Sequence, residues 1–388
     1  MAGIGIASIW SGLVIVTYYT IIIAWAILYW ANSFKSPLGW SQEGYDNQCG
    51  TGAASEYYYR QTLGYQVKDG TSCRFLEPHE TEDVQGWVYL CTIIAWVIIY
   101  FCVFRGVKSS SYVVWVTVPL PIVLVLILVI RGATLDGADD GIDLYLNGED
   151  SVNSNKALED DQMWSDATGQ IFFTLSICMG VMTSYGSYNK TTKPVILDSF
   201  VIAIVNSTVS FISGFAVFST IGYLRHINSP VSSQMTSFGL AFIAYPTAAS
   251  TMTGANFWNF LLFTTLFLLG IDSAFSMVEA IATVIYDTPL GRRMNRMVIA
   301  AILCIFCALW SLAFCADVGL VLLDVVDYYT NTYMLQILGV LQPFAVGWVY
   351  EQDVVAQRIG LPAILTYNVG FWVSTEIPII IAIFGMDK

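Results

Sequence analysis

The chain has 388 residues, of which 56% are hydrophobic and only 12% charged. A soluble globular protein carries about 25% charged residues, so that class is excluded. The formal net charge of −13 is gathered in two acidic segments, 32–86 and 132–166, as a solvated face would be, and it argues against a nucleic-acid partner.

Apolar runs of the roughly 20 residues needed to cross a bilayer recur along the chain. The predicted spans are 7–31, 87–104, 112–131, 167–188, 195–223, 257–286, 297–316, 323–350 and 361–384. The first is too long for a signal peptide and has no basic start, so it reads as a span. The loop after it, 32–86, holds Cys49 and Cys73, which are expected to pair as a disulfide in an oxidising exterior. The second and third spans are joined by a connection carrying Arg105 and Lys108. Lys190 and Lys193, then Arg292, Arg293 and Arg296, then Arg358 mark further connections at alternate ends of the spans. The positive-inside rule makes these four cytoplasmic. The acidic loops are then outside, Met1 inside and Lys388 outside.

Pro119 and Pro121 interrupt the third span, and Pro343 the eighth. Proline removes a helix hydrogen bond and kinks the helix, but neighbouring helices can re-satisfy the freed groups. The fourth span has a polar, small-residue middle: Thr174, Ser176, Cys178 and Gly180. Such residues either pack closely against neighbouring helices or mark a discontinuous helix whose opened backbone faces a solute. Gln170 and Thr174 on this span, and Asn206 and Ser210 on the fifth, are polar pairs at i, i+4. They serve either interhelical hydrogen bonding or a small site of amides and hydroxyls, uncharged and therefore open to an anion. Residues 224–256 read as an outer loop too interrupted to span, suited to capping an outer vestibule. In the seventh span Cys304 and Cys307 form a CxxC with no second pair, which reads as packing rather than zinc.

No enzyme constellation appears. Both histidines, His79 and His226, lie in outer loops, and the chain has neither a phosphate-binding glycine loop nor an HExxH. The remaining chemistry is polar groups at membrane depth. Between Phe257 and Ile285 the only ionisable groups are Asp272 and Glu279. An aspartate at the centre of a membrane helix costs roughly 2.5–3.5 kcal/mol, so Asp272 must face the bundle interior and find a partner. It is either protonated or hydrogen-bonded in a structural role, or bound to a cation. Leu269, Asp272 and Ser273, at i, i+3 and i+4, offer a carbonyl, a carboxylate and a hydroxyl on one helix face. Those hard oxygens suit a hard cation.

At these residues the chain resembles the neurotransmitter:sodium symporter family. The likeness runs its full length through "VTYYTIIIAWAILYW" (16–30), "CVFRGVKSSSYVVW" (102–115), "IRGATLDGADDGIDLYL" (130–146), "GQIFFTLS", "SYGSYNK", "SGFAVFSTIGYL" (213–224) and "GIDSAFSMVEA" (270–280). The resemblance implies an all-α integral membrane protein, a helical bundle of inverted repeats like that of the bacterial leucine transporter, here incomplete with about nine spans. By this likeness the first span matches the family's third helix and the last its eleventh. The single transmembrane domain, 1–388, then comprises a partial first repeat (1–131), the acidic loop 132–166, a complete second repeat (167–350) and an additional C-terminal part (351–388).

The resemblance further implies a site. Leu269, Asp272 and Ser273 belong to one sodium site, and Thr174 and Asn206 to the other. Gln170, Thr174, Asn206 and Ser210 line a chloride site. Some bacterial members place a glutamate where Ser210 stands, and it substitutes for chloride, so Ser210 implies chloride dependence. Tyr19 and Phe173 are similar to the aromatic pair that closes over the substrate, and Ile15, Ser176, Met179, Ser273, Ala274 and Met277 would line its pocket. Asp327 is similar to the acidic half of an outer gate, and Asp287 with Tyr188 to an inner gate. The family usually has glycine where Cys178 stands and often an aromatic at Met179, which leaves substrate choice open. Its first two helices and its twelfth have no counterpart. An incomplete sequence, with Met1 an internal methionine, is the favoured explanation.

The expected function is a sodium- and chloride-coupled symporter of a small amino acid, amino-acid derivative or amine at the plasma membrane. Its partners are that solute and the lipid bilayer, and no signal of oligomeric state is legible. The alternative is a non-transporting membrane fragment or degenerate regulatory paralogue; a channel is a third reading.

Overall fold

The computed structural model describes residues 2–41, 52–64, 85–148, 161–190, 195–229, 237–316 and 318–345. Cys49 and Cys73, the span 361–384 and the end of the span 323–350 lie outside them.

The described chain is built from helices. In order these are α1 (Ala2–Asn32), α2 (Ala53–Glu56), α3 (Gly86–Val103), α4 (Val107–Thr117), α5 (Pro119–Ala133), α6 (Ala138–Asn147), α7 (Asp161–Thr174), α8 (Val181–Ser187), α9 (Val195–His226), α10 (Ser237–Gly239), α11 (Tyr245–Thr251), α12 (Ala255–Asp287), α13 (Arg296–Ser311), α14 (Gly319–Tyr329) and α15 (Leu335–Phe344). π-helical turns follow α2, α10 and α14. Six stretches are long and apolar enough to cross a membrane: Gly3–Asn32, Gly86–Val103, Val107–Ala133, Leu197–His226, Ala255–Asp287 and Arg296–Cys315. They match six of the predicted spans. The protein is thus a multi-pass helical membrane protein.

Helix ends follow local chemistry. Asn295 caps α13, its side-chain oxygen accepting the Met297 N–H at 3.0 Å. Pro119 opens α5 at a position where its missing N–H costs nothing, so the predicted third span is two helices that break at Val118. Gly137, at φ 81°, turns the chain into α6, whose first turn carries Asp139 and Asp140.

The core is the contact of α1 with α12, flanked by α3 and α13. Ile15, Ile21 and Ala24 of α1, and Phe263, Ile271, Phe275 and Val278 of α12, are fully buried. Gly270 permits this approach, because a Cβ there would stand 2.8 Å from Ile23 Cγ1. At one end the core closes in an aromatic cluster: the Tyr29 ring lies 4.9 Å from Trp40 and 4.8 Å from Phe263, and Trp25 meets Tyr58 and Phe242 edge-on at 5.9 and 5.8 Å. Here the segment 224–256 is partly helical, as α10 and α11, and packs onto α12 and α9. A second close contact joins α6 to α9, where Gly141 meets the backbone of Phe218 and Gly222 that of Gly137 and Gly141. The sides of α5 and α9 that carry Val123, Leu126, Phe200, Val201 and Ile204 are exposed.

Candidate functional site

The fourth predicted span is not a continuous helix. α7 stops at Thr174, the chain unwinds through 175–180, and α8 starts at Val181. The unwinding is made by left-handed residues: Ser176 at φ 52°, Cys178 at 63° and Gly180 at 77°. Glycine takes that conformation freely, but the two side-chain-bearing residues need their surroundings to hold them. For Cys178 those surroundings are visible. Its carbonyl accepts the Ser11 hydroxyl of α1 at 2.9 Å, and its thiol donates to Gln342 Oε1 of α15 at 3.1 Å. Gly12 lies so close that a Cβ there would be 2.9 Å from the Met179 carbonyl. Of the two readings of this span, the discontinuous helix is the observed one.

Across the core from the break is the middle of α12. Asp272 is half-buried and its Oδ1 accepts the hydroxyl of Thr117, the last residue of α4, at 2.7 Å. The Ser273 hydroxyl returns to the Leu269 carbonyl at 3.2 Å, so Leu269, Asp272 and Ser273 share one helix face as the spacing predicts. Tyr19 and Phe173 meet with ring centroids 6.3 Å apart, bringing α1 against the end of α7. Ile15, Met179, Ala274 and Met277 are buried, while Ser176 and Ser273 are partly buried. They come from α1, the break and α12.

The two polar pairs meet at one point. Thr174 Oγ1 donates to Asn206 Oδ1 at 3.4 Å, joining α7 to α9. Among the described residues the Asn206 amide nitrogen is buried without a hydrogen-bond partner. A buried donor left unmatched costs about 1–3 kcal/mol, so this amide calls for an acceptor. Gln170 and Ser210 lie one turn away on the same helices, both exposed.

Asp327 of α14 accepts two donors on Oδ1, the Tyr18 hydroxyl at 2.7 Å and the Asn331 amide at 2.9 Å. Tyr188 shares a hydrogen bond of 3.2 Å with Thr283, one helical turn before the exposed Asp287; the pair lies on neighbouring elements with Thr283 between them. Glu279, fully buried, stands against Gly106, where a Cβ would be 3.3 Å from Oε1 and 3.6 Å from Arg296 Nη1. Sequence reasoning missed Thr117, Tyr18 and Asn331. The i+4 spacing of Asn331 from Asp327 was a usable signal, whereas Tyr18 and Thr117 reach their carboxylates across the bundle. Among the described residues no group of three or more His, Cys, Asp or Glu side chains converges.

A helix opened at membrane depth, inside a bundle of apolar spans that also encloses carboxylates on α12, defines a polytopic membrane protein with an internal polar site. Residues 1–386 match the model of the sodium:neurotransmitter symporter family, and the chain belongs to that family. The sodium- and chloride-dependent taurine transporter of Canis lupus familiaris is 34% identical over 394 residues, and that of Bos taurus 33% over 395, each alignment covering 96% of this chain and 62% of the relative. The sodium- and chloride-dependent GABA transporter 2 of Rattus norvegicus is 32% identical over 373 residues, covering 90% of this chain and 60% of the relative. The chain thus spans about three-fifths of the length of these relatives.

Proposed function

We propose that this chain is the site-bearing part of a sodium- and chloride-coupled symporter for a small zwitterionic amine at the plasma membrane. The observation that carries the reading is Asp272, a carboxylate in the middle of a spanning helix with one hydroxyl donor, Thr117, among the described side chains. A sodium ion supported by the Leu269 carbonyl and the Ser273 hydroxyl compensates that charge. Thr174 and Asn206 contribute to the second sodium site. The Asn206 amide, with Gln170, Thr174 and Ser210, receives chloride. The relatives are named for taurine and GABA, both small zwitterions, and that substrate class is carried over. The solute sits between Ile15, Ser176, Met179, Ala274 and Met277, under Tyr19 and Phe173. Asp327 serves the outer gate, and Asp287 with Tyr188 the inner one. Inward sodium movement supplies the work, about 2.3 kcal/mol per charge per 100 mV.

Radiotracer uptake of taurine and GABA, with sodium replaced by a large organic cation or chloride by gluconate, tests the reading. Loss of uptake in both replacements is expected. Uptake indifferent to both ions would defeat it, and surface-expressed protein that takes up neither tracer would favour the non-transporting alternative. Asp272→Asn should abolish sodium-dependent uptake at unchanged surface expression. Ser210→Glu should make uptake independent of chloride; retained chloride dependence would remove the anion assignment.

A further inference from the structure

We infer that Gln342 of α15 is a positioning residue for the solute pocket: by accepting the Cys178 thiol it holds the unwound segment, and with it Met179, against α1. The part of this that concerns the solute rests on the proposal that Met179 lines the pocket; the latch itself does not.

The break between α7 and α8 is gripped from two sides. On the α1 side the contacts reach its backbone: the Ser11 hydroxyl donates to the Cys178 carbonyl at 2.9 Å, and Gly12 lies against the Met179 carbonyl. On the α15 side they reach its side chains. A Cβ on Gly339 would overlap the Phe172 ring, so α15 packs directly on the last turn of α7. One turn further on, Gln342 Oε1 accepts the Cys178 thiol at 3.1 Å. The Gln342 Nε2 donates to the Ser8 hydroxyl of α1 at 3.5 Å. One amide therefore bridges the break and α1. Ser8, Ser11 and Cys178 are all buried, so water does not compete for these groups.

The latch acts on the residue beside it. Cys178 sits at φ 63°, where a residue with a side chain stays only if its surroundings over-determine it. Two bonds do so here, one on its carbonyl and one on its thiol. Met179 follows directly and is fully buried. A methionine side chain is flexible, so any sharpness of a pocket wall made from it must come from the backbone behind it. Relaxation at Cys178 re-aims that backbone. A wall held in place separates solutes that differ by one methylene by about tenfold or more; a wall free to move does not. Gln342 is outside the set of pocket residues, so its influence on the solute is indirect.

The test uses the full chain in lipid nanodiscs and two readouts. The first is amide hydrogen exchange over residues 175–181. Gln342→Leu removes the acceptor, and Cys178→Ala removes the donor but keeps the Cβ. Each should speed exchange by about two- to tenfold, the factor one net hydrogen bond is worth, and the double variant should be no faster than either alone. Gln342→Glu and Cys178→Ser, which keep an acceptor and a donor, should stay near the parent chain. The second readout is thermal stabilisation by β-alanine, GABA and 5-aminovalerate, which differ by single methylenes. The gaps between their apparent dissociation constants should narrow in Gln342→Leu by a similar factor, about two- to tenfold, and persist in Gln342→Glu. Unchanged exchange in Gln342→Leu, or additive acceleration in the double variant, would overturn the latch whether or not any solute binds. Faster exchange with length discrimination intact would overturn the positioning role. A parent chain that binds none of the three solutes counts against the symport reading and the pocket role together, and exchange then decides the latch alone.

Discussion

The Thr117 hydroxyl donates to Asp272 Oδ1 at 2.7 Å, a short contact between a hydroxyl and a carboxylate in the middle of the bundle. Hydrogen bonds to a charged group contribute about 1.5–3 kcal/mol. Thr117→Val should therefore lower the melting temperature in sodium-free buffer. The loss should shrink in saturating sodium, where the ion takes over compensation of the charge; an equal loss in both buffers would leave Asp272 without a cation. Cys178 gives a backbone counterpart. A left-handed conformation costs a non-glycine residue roughly 1–2 kcal/mol, and more if it is β-branched. Cys178→Val should destabilise by more than that, whereas Cys178→Gly should be close to neutral, the relief at φ offsetting the lost thiol contact with Gln342. Thermal unfolding of the two variants separates these outcomes. Little of this was legible in the sequence. The face that groups Leu269, Asp272 and Ser273 follows from helical period alone. The partner of Asp272 does not, because Thr117 stands 155 positions away and only the fold joins them.

At the scale of elements, the breaks were easier to read than the contacts. Pro119 announces the start of α5, and the run of small and polar residues from Thr174 to Gly180 announces the gap between α7 and α8. Both signals are local, since each residue type acts on its own backbone. The short helices α10 and α11 in the segment 224–256 escaped notice because their burial is set by α12 and the aromatic cluster rather than by a period of their own. The seam between α6 and α9 was equally silent, although Gly141 and Gly222 make it possible. Small residues let membrane helices approach backbone to backbone, and added side-chain volume in packed regions costs about 1–3 kcal/mol. Gly141→Val should cost at least that much and loosen α6 from α9. Cysteine cross-linking between the two helices would report it as slower disulfide formation.

For the whole molecule, the bilayer organises what is buried and what is not. The exposed apolar sides of α5 and α9 are what a lipid or a neighbouring helix would cover, while α1 and α12 are enclosed. Hydropathy picks out from the sequence the six described spanning stretches in their order, but not which of them lies at the centre. That depends on Gly270 and on the small residues of α1, whose effect appears only when two helices meet. A ligand that binds only the folded state stabilises it by about 2.7 kcal/mol at a hundred times its dissociation constant. Sodium should thus raise the melting temperature of the intact protein and leave Asp272→Asn unmoved, whether or not the chain completes a transport cycle; a rise of equal size in the variant would place the ion elsewhere.

The aromatic cluster that seats α10 and the π-helical turns after α2 and α10 on α1 bears on how the molecule can be watched. Trp25 is walled by Tyr58 on one side and by Phe238 and Phe242 on another, all edge-on within 6 Å. Any lifting of those segments strips its shield and wets the indole. With the other tryptophans replaced, the colour and lifetime of its emission become an intrinsic gauge of where those segments sit, with no dye attached.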